Sequence, residues 1–361
     1  MLKIAINIPI VGKEEITSVT SILKNGVLTS SSNLGGQHVQ AFEKSAASFV
    51  NSKYAIAVNS GTAALQAALY ALDIKKGDEV LIPSFTFIAT ANAVVSTGAK
   101  PVFVDILNKN YTIDPDDLEK KITKKTHAII PVHLYGNVAI IERLSEISKK
   151  YNIPIIEDSA QSLGSTYKGK HTGTFFEMGC YSMYPTKVMT AGEGGFVVTN
   201  NKNLRDKLLM IRNHGMVHGY DTRMFGLNLR LPEINAAIAT VQMKKLPKFL
   251  KSRANNAKLL SKLISDLEVV LPIERKNENV NWYLYTISTD KRDKLLKKLN
   301  EKGIGAVSYY STPIHKTPFY KLKIKLPITD LASSNVISLP IHPNVTQKNI
   351  EFIAKIMHEI L

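Results

Sequence analysis

Short apolar, β-branched runs alternate with helix-length stretches from Tyr54 to Asp158, and this alternation is the most regular feature of the chain. YAIAVN (54–59) precedes SGTAALQAALYAL (60–72), EVLIP (79–83) precedes FIATANAVVSTG (87–98), and PVFVDI (101–106) precedes PDDLEKKI (115–122). HAIIPVHL (127–134) then precedes IIERLSEISKKY (140–151), and IPIIED (153–158) leads into a long loop. Strands that are apolar on both faces belong in a sheet covered on both sides, so the repetition predicts a mainly parallel sheet with helices packed against it. Two later runs, GCYSMY (179–184) and GFVVTN (195–200), lie too close together for a crossover helix and predict an antiparallel edge or hairpin.

Ahead of this block, Glu14–Lys24 and Val39–Phe49 read as helices, separated by a polar loop over Thr29–Gly36. Beyond Asn200 come a helix over Leu204–Asn213, a glycine-punctuated loop over His214–Asn228 and a long amphipathic stretch, Pro232–Leu263. The pattern then changes to β-α-β: WYLYTIST (282–289), DKLLKKLNEKG (293–303) and IGAVSYY (304–310). A proline-marked loop (Thr312–Pro327) and closing helices over Asp330–Val336 and Gln347–Ile360 complete the chain. The expected architecture is a large α/β domain over residues 1–245, including an N-terminal arm and helix, and a smaller α+β domain over residues 246–361.

Composition narrows the function. No apolar run approaches the roughly 20 residues that span a bilayer. Met1–Gly12 lacks the apolar core and cleavage site of a secretory leader. The single cysteine, Cys180, excludes an intrachain disulfide, and a cytoplasmic protein without membrane association is expected. A net charge of +16 raises the possibility of nucleic-acid binding. Yet the lysines are spread over helical stretches such as 244–258 and 290–302, with no basic run interleaved with aromatics. A solvated basic surface that favours anionic small molecules is the expected consequence. No metal is expected: His214 and His218 lie among glycines with no third ligand. No Gly-x-Ser-x-Gly elbow exists to mount a serine triad.

Three positions carry candidate chemistry. Asn59-Ser60-Gly61-Thr62 falls between a strand and an Ala/Leu-rich helix, where free N–H groups suit a phosphate, although on this motif alone a plain helix cap is the better reading. Asp158 ends a buried strand and needs a partner, which a protonated ring nitrogen, a lysine or the next turn could supply. Lys187, in Ser182-Met183-Tyr184-Pro185-Thr186-Lys187, stands before the glycine cluster Gly192, Gly194 and Gly195; a lysine there forms a Schiff base only if its surroundings lower its pKa, and taken alone it reads as one more lysine of a basic chain. Taken together, an anion cradle, a carboxylate and an amine after strands of one sheet are what pyridoxal 5'-phosphate requires. Phe87 would offer its ring a flat apolar face, or simply pack in the core.

The ordered set SGTAAL (60–65), PSFTFIATANAV (83–94), EDSAQSLGSTYKGK (157–170), SMYPTK (182–187), GEGG (192–195), RNHG (212–215), GLNLRLPEINAAI (226–238) and PIHKTPFY (313–320) resembles the DegT/DnrJ-type nucleotide-sugar aminotransferases, over nearly the whole chain. Those enzymes have the aspartate-aminotransferase fold, fold type I of the pyridoxal-phosphate enzymes. The resemblance implies that Lys187 forms the internal aldimine, Asp158 pairs with the pyridinium nitrogen, and Gln161 sits by the ring's phenolic oxygen. It further implies that Phe87 stacks on the ring and that Gly61, Thr62 and Ser182 hold the phosphate. Asn228 would reach that phosphate from a neighbouring subunit, making the active unit a homodimer or larger. Arg230 and His315 would lie on the substrate side. The chain departs from the family where Ser30–Gly36 replaces a Gly-Pro pair and where Tyr283 replaces a frequent histidine.

The implied reaction moves an amino group from glutamate to a nucleotide-linked keto sugar. Lys187 argues against the branch that replaces the lysine by histidine and dehydrates a sugar. Action on another ketone, such as a cyclitol, and a non-catalytic regulatory role on the same fold are the alternatives. Neither the nucleotide nor the aminated carbon is specified.

Overall fold

The computed structural model describes residues 3–361; Met1 and Leu2, the start of the Met1–Gly12 segment, lie outside them. Two helices, α1 (Lys13–Asn25) and α2 (Gln37–Val50), come first. The repeating units are β1 (Tyr54–Val58), α3 (Gly61–Ala71), β2 (Glu79–Pro83), α4 (Ala89–Ser96), β3 (Lys100–Val104), α5 (Pro115–Lys120), β4 (Thr126–Ile129), α6 (Ile141–Tyr151) and β5 (Ile156–Asp158). A small hairpin, β6 (Thr166–Tyr167) and β7 (Lys170–His171), precedes β8 (Met178–Ser182) and β9 (Gly195–Thr199). Then come α7 (Lys202–Arg212), α8 (Glu233–Leu263), β10 (Glu278–Asn279), β11 (Tyr285–Ser288), α9 (Arg292–Glu301), α10 (Pro327–Asn335), β12 (Val336–Leu339) and α11 (Gln347–Ile360).

The strands β1-β9-β8-β5 and β4-β2-β3 form two hydrogen-bonded sets. Parallel bridges Ile129–Ile155 and Val132–Asp158 join them into one seven-stranded sheet. Only β9 runs against its neighbours, β1 and β8. The expected antiparallel pair is therefore present, but β9 is an interior strand and not an edge. Helices cover both faces. On one, α3 brings buried Ala63, Ala64, Ala67 and Ala68 against Ile56, Cys180 and Val197, small side chains that allow close approach. On the other, Phe42 of α2 and Ala236 and Leu246 of α8 pack on Tyr181 and Phe196.

Leu260 of α8, Tyr285, Leu299 of α9, Ile337 and Ile353 of α11 enclose a separate core in the C-terminal part. Here the β-α-β expectation is corrected. β11 pairs antiparallel with β12, which comes after α10, whereas residues 304–310 form no strand beyond two isolated bridges, Ile4–Ile304 and Val307–Ser338. The N-terminal arm takes the place beside them: Gly305 donates to the Ile4 carbonyl at 2.7 Å, and a Cβ at Gly305 would come within 2.8 Å of Ile6 N. The long stretch expected over 232–263 is one continuous helix, α8, with Pro247 inside it, so residue 245 lies mid-helix.

Because β1, β2, β5 and β8 all run the same way, their carboxyl ends meet at one edge. The start of α3, the segment before α4, Asp158 and the loop after Ser182 converge there.

Candidate active site

A cavity of about 490 Å³ opens at this edge, and Gly61, Thr62, Phe87, Asp158, Gln161, Ser182 and Lys187 all line it. A second depression of about 550 Å³, between Ser145–Lys149 and Asn200–Leu204, gathers no comparable set of groups.

Ser60 caps α3, its Oγ accepting from Ala63 N at 3.0 Å. The first amides of the helix, at Gly61 and Thr62, have no preceding turn to bond, and these two residues line the cavity together with Ser182. Gly61 has to be glycine: a Cβ there would meet Ser182 Cβ at 2.7 Å and Oγ at 3.1 Å.

Asp158 is buried at 5% exposure. Its Oδ2 accepts from Thr90 Oγ1 at 2.9 Å and its Oδ1 from Ala160 N at 3.2 Å. Both are neutral donors. Burial pushes the carboxyl above its usual range, opposed by those two hydrogen bonds and by the charge of Lys187. Gln161 is fixed at both ends, accepting from Tyr135 N at 2.9 Å and donating to Tyr310 Oη at 2.8 Å. Lys187 leaves the loop between β8 and β9, its Nζ 4.8 Å from the centroid of the Tyr283 ring. It is the only lysine on the cavity wall among the described residues.

Phe87 stands 59% exposed, its ring on the cavity side of the segment before α4. Three expected residues are elsewhere in this protomer. Asn228 exposes its side chain outside the cavity, while its carbonyl accepts from Asn59 Nδ2 at 3.2 Å. Arg230 donates to Asn213 Oδ1 at 2.8 Å. His315 is fully buried off the cavity wall, with Nδ1 2.7 Å from Ser84 Oγ and Nε2 3.7 Å from Asp330 Oδ1. Burial pushes His315 down, and the proline-led turn Ile314–Lys316 directs it against the end of β2 instead of toward the cavity.

The structure adds residues that motif reading missed. Thr90, one helical turn after Phe87, holds Asp158; its spacing was the available signal. Tyr309 and Tyr310 join Tyr283 as an aromatic wall contributed by the C-terminal part. They belong to the run read as a strand, and a positive φ of 62° at Tyr310 takes it out of one.

The sequence matches the DegT/DnrJ/EryC1/StrS aminotransferase family over residues 9–358. The chain belongs to that family. It is a pyridoxal-phosphate-dependent aminotransferase, and the resemblance of its motifs is borne out. Among its relatives, a pleiotropic regulatory protein of Geobacillus stearothermophilus is 38% identical over 338 residues, covering 91% of each chain. The dTDP-3-amino-3,4,6-trideoxy-alpha-D-glucose transaminase of Streptomyces venezuelae is 36% identical over 338 residues, covering 92% of this chain and 89% of the transaminase. The crystal structure of S. venezuelae DesV in complex with a ketimine intermediate superposes with a TM-score of 0.92 at 33% identity, covering 96% of this chain and 94% of DesV. Among the described residues of this aminotransferase, no helix is long and apolar enough to cross a membrane.

Proposed function

We propose that this aminotransferase moves an amino group from glutamate to a keto sugar carried on a nucleoside diphosphate, with pyridoxal 5'-phosphate seated in the 490 Å³ cavity. The observation that carries the reading is Asp158, a buried carboxylate that shares a cavity with one lysine and has only neutral hydrogen-bond donors. An enclosed carboxylate raised by desolvation gains most from a cationic partner, and a protonated pyridine nitrogen is one. The donor set fits the cofactor at each end: helix amides and the Ser182 hydroxyl for its phosphate, an amine for its aldehyde, and Asp158 for its ring nitrogen.

When bound, the cofactor supplies an electron sink for the carbanion formed at the donor's α-carbon. Lys187 Nζ takes the proton from that carbon and returns it on the product side, serving as base and then as acid. Asp158 holds the ring nitrogen protonated, and Gln161 orients the ring through its phenolic oxygen. Phe87, on the cavity wall, would offer the ring an apolar face. Asn228, exposed on this protomer, would complete the phosphate site of a partner in a homodimer, with Arg230 beside it. The relatives' nucleotide-sugar substrates and the net charge of +16 both favour an anionic, nucleotide-bearing acceptor. A relative named for a regulatory role favours a second, non-catalytic reading, which the retained Lys187 and Asp158 weigh against.

The test is spectroscopic first. Protein loaded with pyridoxal phosphate is expected to be yellow, to lose its visible band on adding glutamate, and to show none after Lys187→Ala. Turnover with a panel of nucleotide 3-keto and 4-keto sugars then identifies the acceptor. A colourless native protein, or a Lys187→Ala variant with native activity, refutes the reading.

A further inference from the structure

The N-terminal arm reaches the loop that carries Lys187. It is tied at both ends: Ile4 N donates to Gly303 O at 3.0 Å, Gly305 N donates to Ile4 O at 2.7 Å, and Gln242 Nε2 donates to Ile10 O at 2.7 Å. Between these ties, Asn7 Nδ2 donates to the carbonyl of Thr186 at 2.7 Å, one residue before Lys187. Asn7 Oδ1 accepts from Arg253 Nη2 at 2.9 Å. Chemistry fixes the amide's orientation, because a guanidinium has no acceptor to offer and a carbonyl has no donor.

Arg253 is buried, and the other arm of its fork, Nη1, donates to the carbonyls of Tyr283 at 3.1 Å and Trp282 at 3.3 Å. The Tyr283 ring is the one facing Lys187 Nζ. One guanidinium therefore holds the backbone of the ring opposite the amine and, through Asn7, the backbone that bears the amine. All these bonds end on neutral oxygens, and burial pushes Arg253 down to about 10. A cation buried without a carboxylate partner is costly to the fold. What the arrangement does achieve is orientation.

We propose that Asn7 and Arg253 are positioning residues for Lys187, a relay that sets its amine against Tyr283 and toward the cavity. The inference rests on Lys187 being the amine that takes up pyridoxal phosphate.

Asn7→Asp separates positioning from anchoring. It keeps an oxygen for Arg253, adds an ion pair, and replaces the donor to the Thr186 and Pro185 carbonyls by an oxygen that repels them. Native and variant proteins, freed of cofactor, are mixed with pyridoxal phosphate, and the adduct on Lys187 is trapped by borohydride at intervals and counted by peptide mass spectrometry. The variant is expected to melt at or above the native temperature while trapping slows about tenfold, the size of one lost hydrogen bond. Its kcat should fall by a similar factor, with KM for the sugar changing less. Asn7→Ala leaves the arm's backbone ties in place and should slow trapping at least as much. Native-rate trapping in either folded variant overturns the relay and leaves the cofactor reading intact. Absence of the adduct in native protein removes that reading and the relay with it.

Discussion

Thr90→Val tests whether the α4 hydroxyl is what makes an ionised Asp158 tolerable. The substitution keeps the shape and removes the donor 2.9 Å from Oδ2. A hydrogen bond to a charged group contributes about 1.5–3 kcal/mol, so its loss should raise the Asp158 pKa further. Burial already raises that pKa in the fold. A raised carboxylate pKa means that the folded protein binds the proton more tightly than the unfolded chain does. Asp158 therefore costs stability at neutral pH, and the cost disappears as pH falls through its folded pKa. Thr90→Val should thus lower the stability of cofactor-free protein by about 1.5–3 kcal/mol at neutral pH, with the difference from native shrinking in acid. His133 and Lys187, the other charges acting on Asp158, are common to both proteins and drop out of the comparison. Urea unfolding at neutral and mildly acid pH measures it. Thr90→Ser, which keeps the hydroxyl, should lose only what its methyl packs, about 1 kcal/mol and independent of pH. Binding of pyridoxal phosphate should narrow the Thr90→Val deficit by giving Asp158 a cation. An equal deficit at both pH values, or a serine variant as poor as the valine one at neutral pH, would refute the electrostatic account.

Gly61→Ala should weaken cofactor binding and lower the melting temperature, since a Cβ 2.7 Å from Ser182 Cβ must separate α3 from β8; the cost is about 1–3 kcal/mol. Tyr310→Phe removes the acceptor of Gln161 Nε2 but keeps the stack on Tyr135, whose ring centroid is 6.1 Å away. Cofactor affinity should fall about three- to tenfold for one lost hydrogen bond, with little change in melting temperature; a titration of the visible band reads both this variant and Gly61→Ala.

Much of this fold is legible because its signal is local. Strands buried on both faces carry apolar runs, and YAIAV, VLIP and the isoleucines Ile153, Ile155 and Ile156 ahead of Glu157-Asp158 show that without reference to anything distant. Lys187, Asp158 and Gly61 were legible for a related reason: each lies at or just past the end of a strand, and parallel strands bring their carboxyl ends to one edge. The C-terminal part was less legible. VISL (336–339) begins at the last residue of the expected helix and is too short to read as a strand alone, so only its pairing with Tyr285–Ser288 makes it one. The run over 304–310 has strand composition, but the N-terminal arm occupies the position beside Ile304. His315 was placed by motif, while its burial depends on packing against Ser84, 231 positions away in sequence.

The glycine cluster after Lys187 shows how a locally plausible reading can miss the reason for a residue. GEGG reads as a turn, and the chain does bend at Gly192 and Glu193, with a left-handed φ of 78° at Gly192. Gly195 has another task. It opens β9 between β1 and β8, where a Cβ would stand 2.5 Å from the carbonyl oxygen of Ser60 and 2.7 Å from that of Tyr181. Any side chain would push β9 away from the cap residue of α3. Asn235 of α8 clamps the same loop from the other side, donating to Ala191 O at 2.8 Å and Glu193 O at 3.1 Å. The Lys187 loop is thus held between two strands and a helix, with the start of α3 brought directly against its return. A parallel strand after β8 would need a long crossover and would release the loop into solvent. Reversing β9 keeps it short, so the one antiparallel strand of the sheet sets the separation between the amine and the anion cradle.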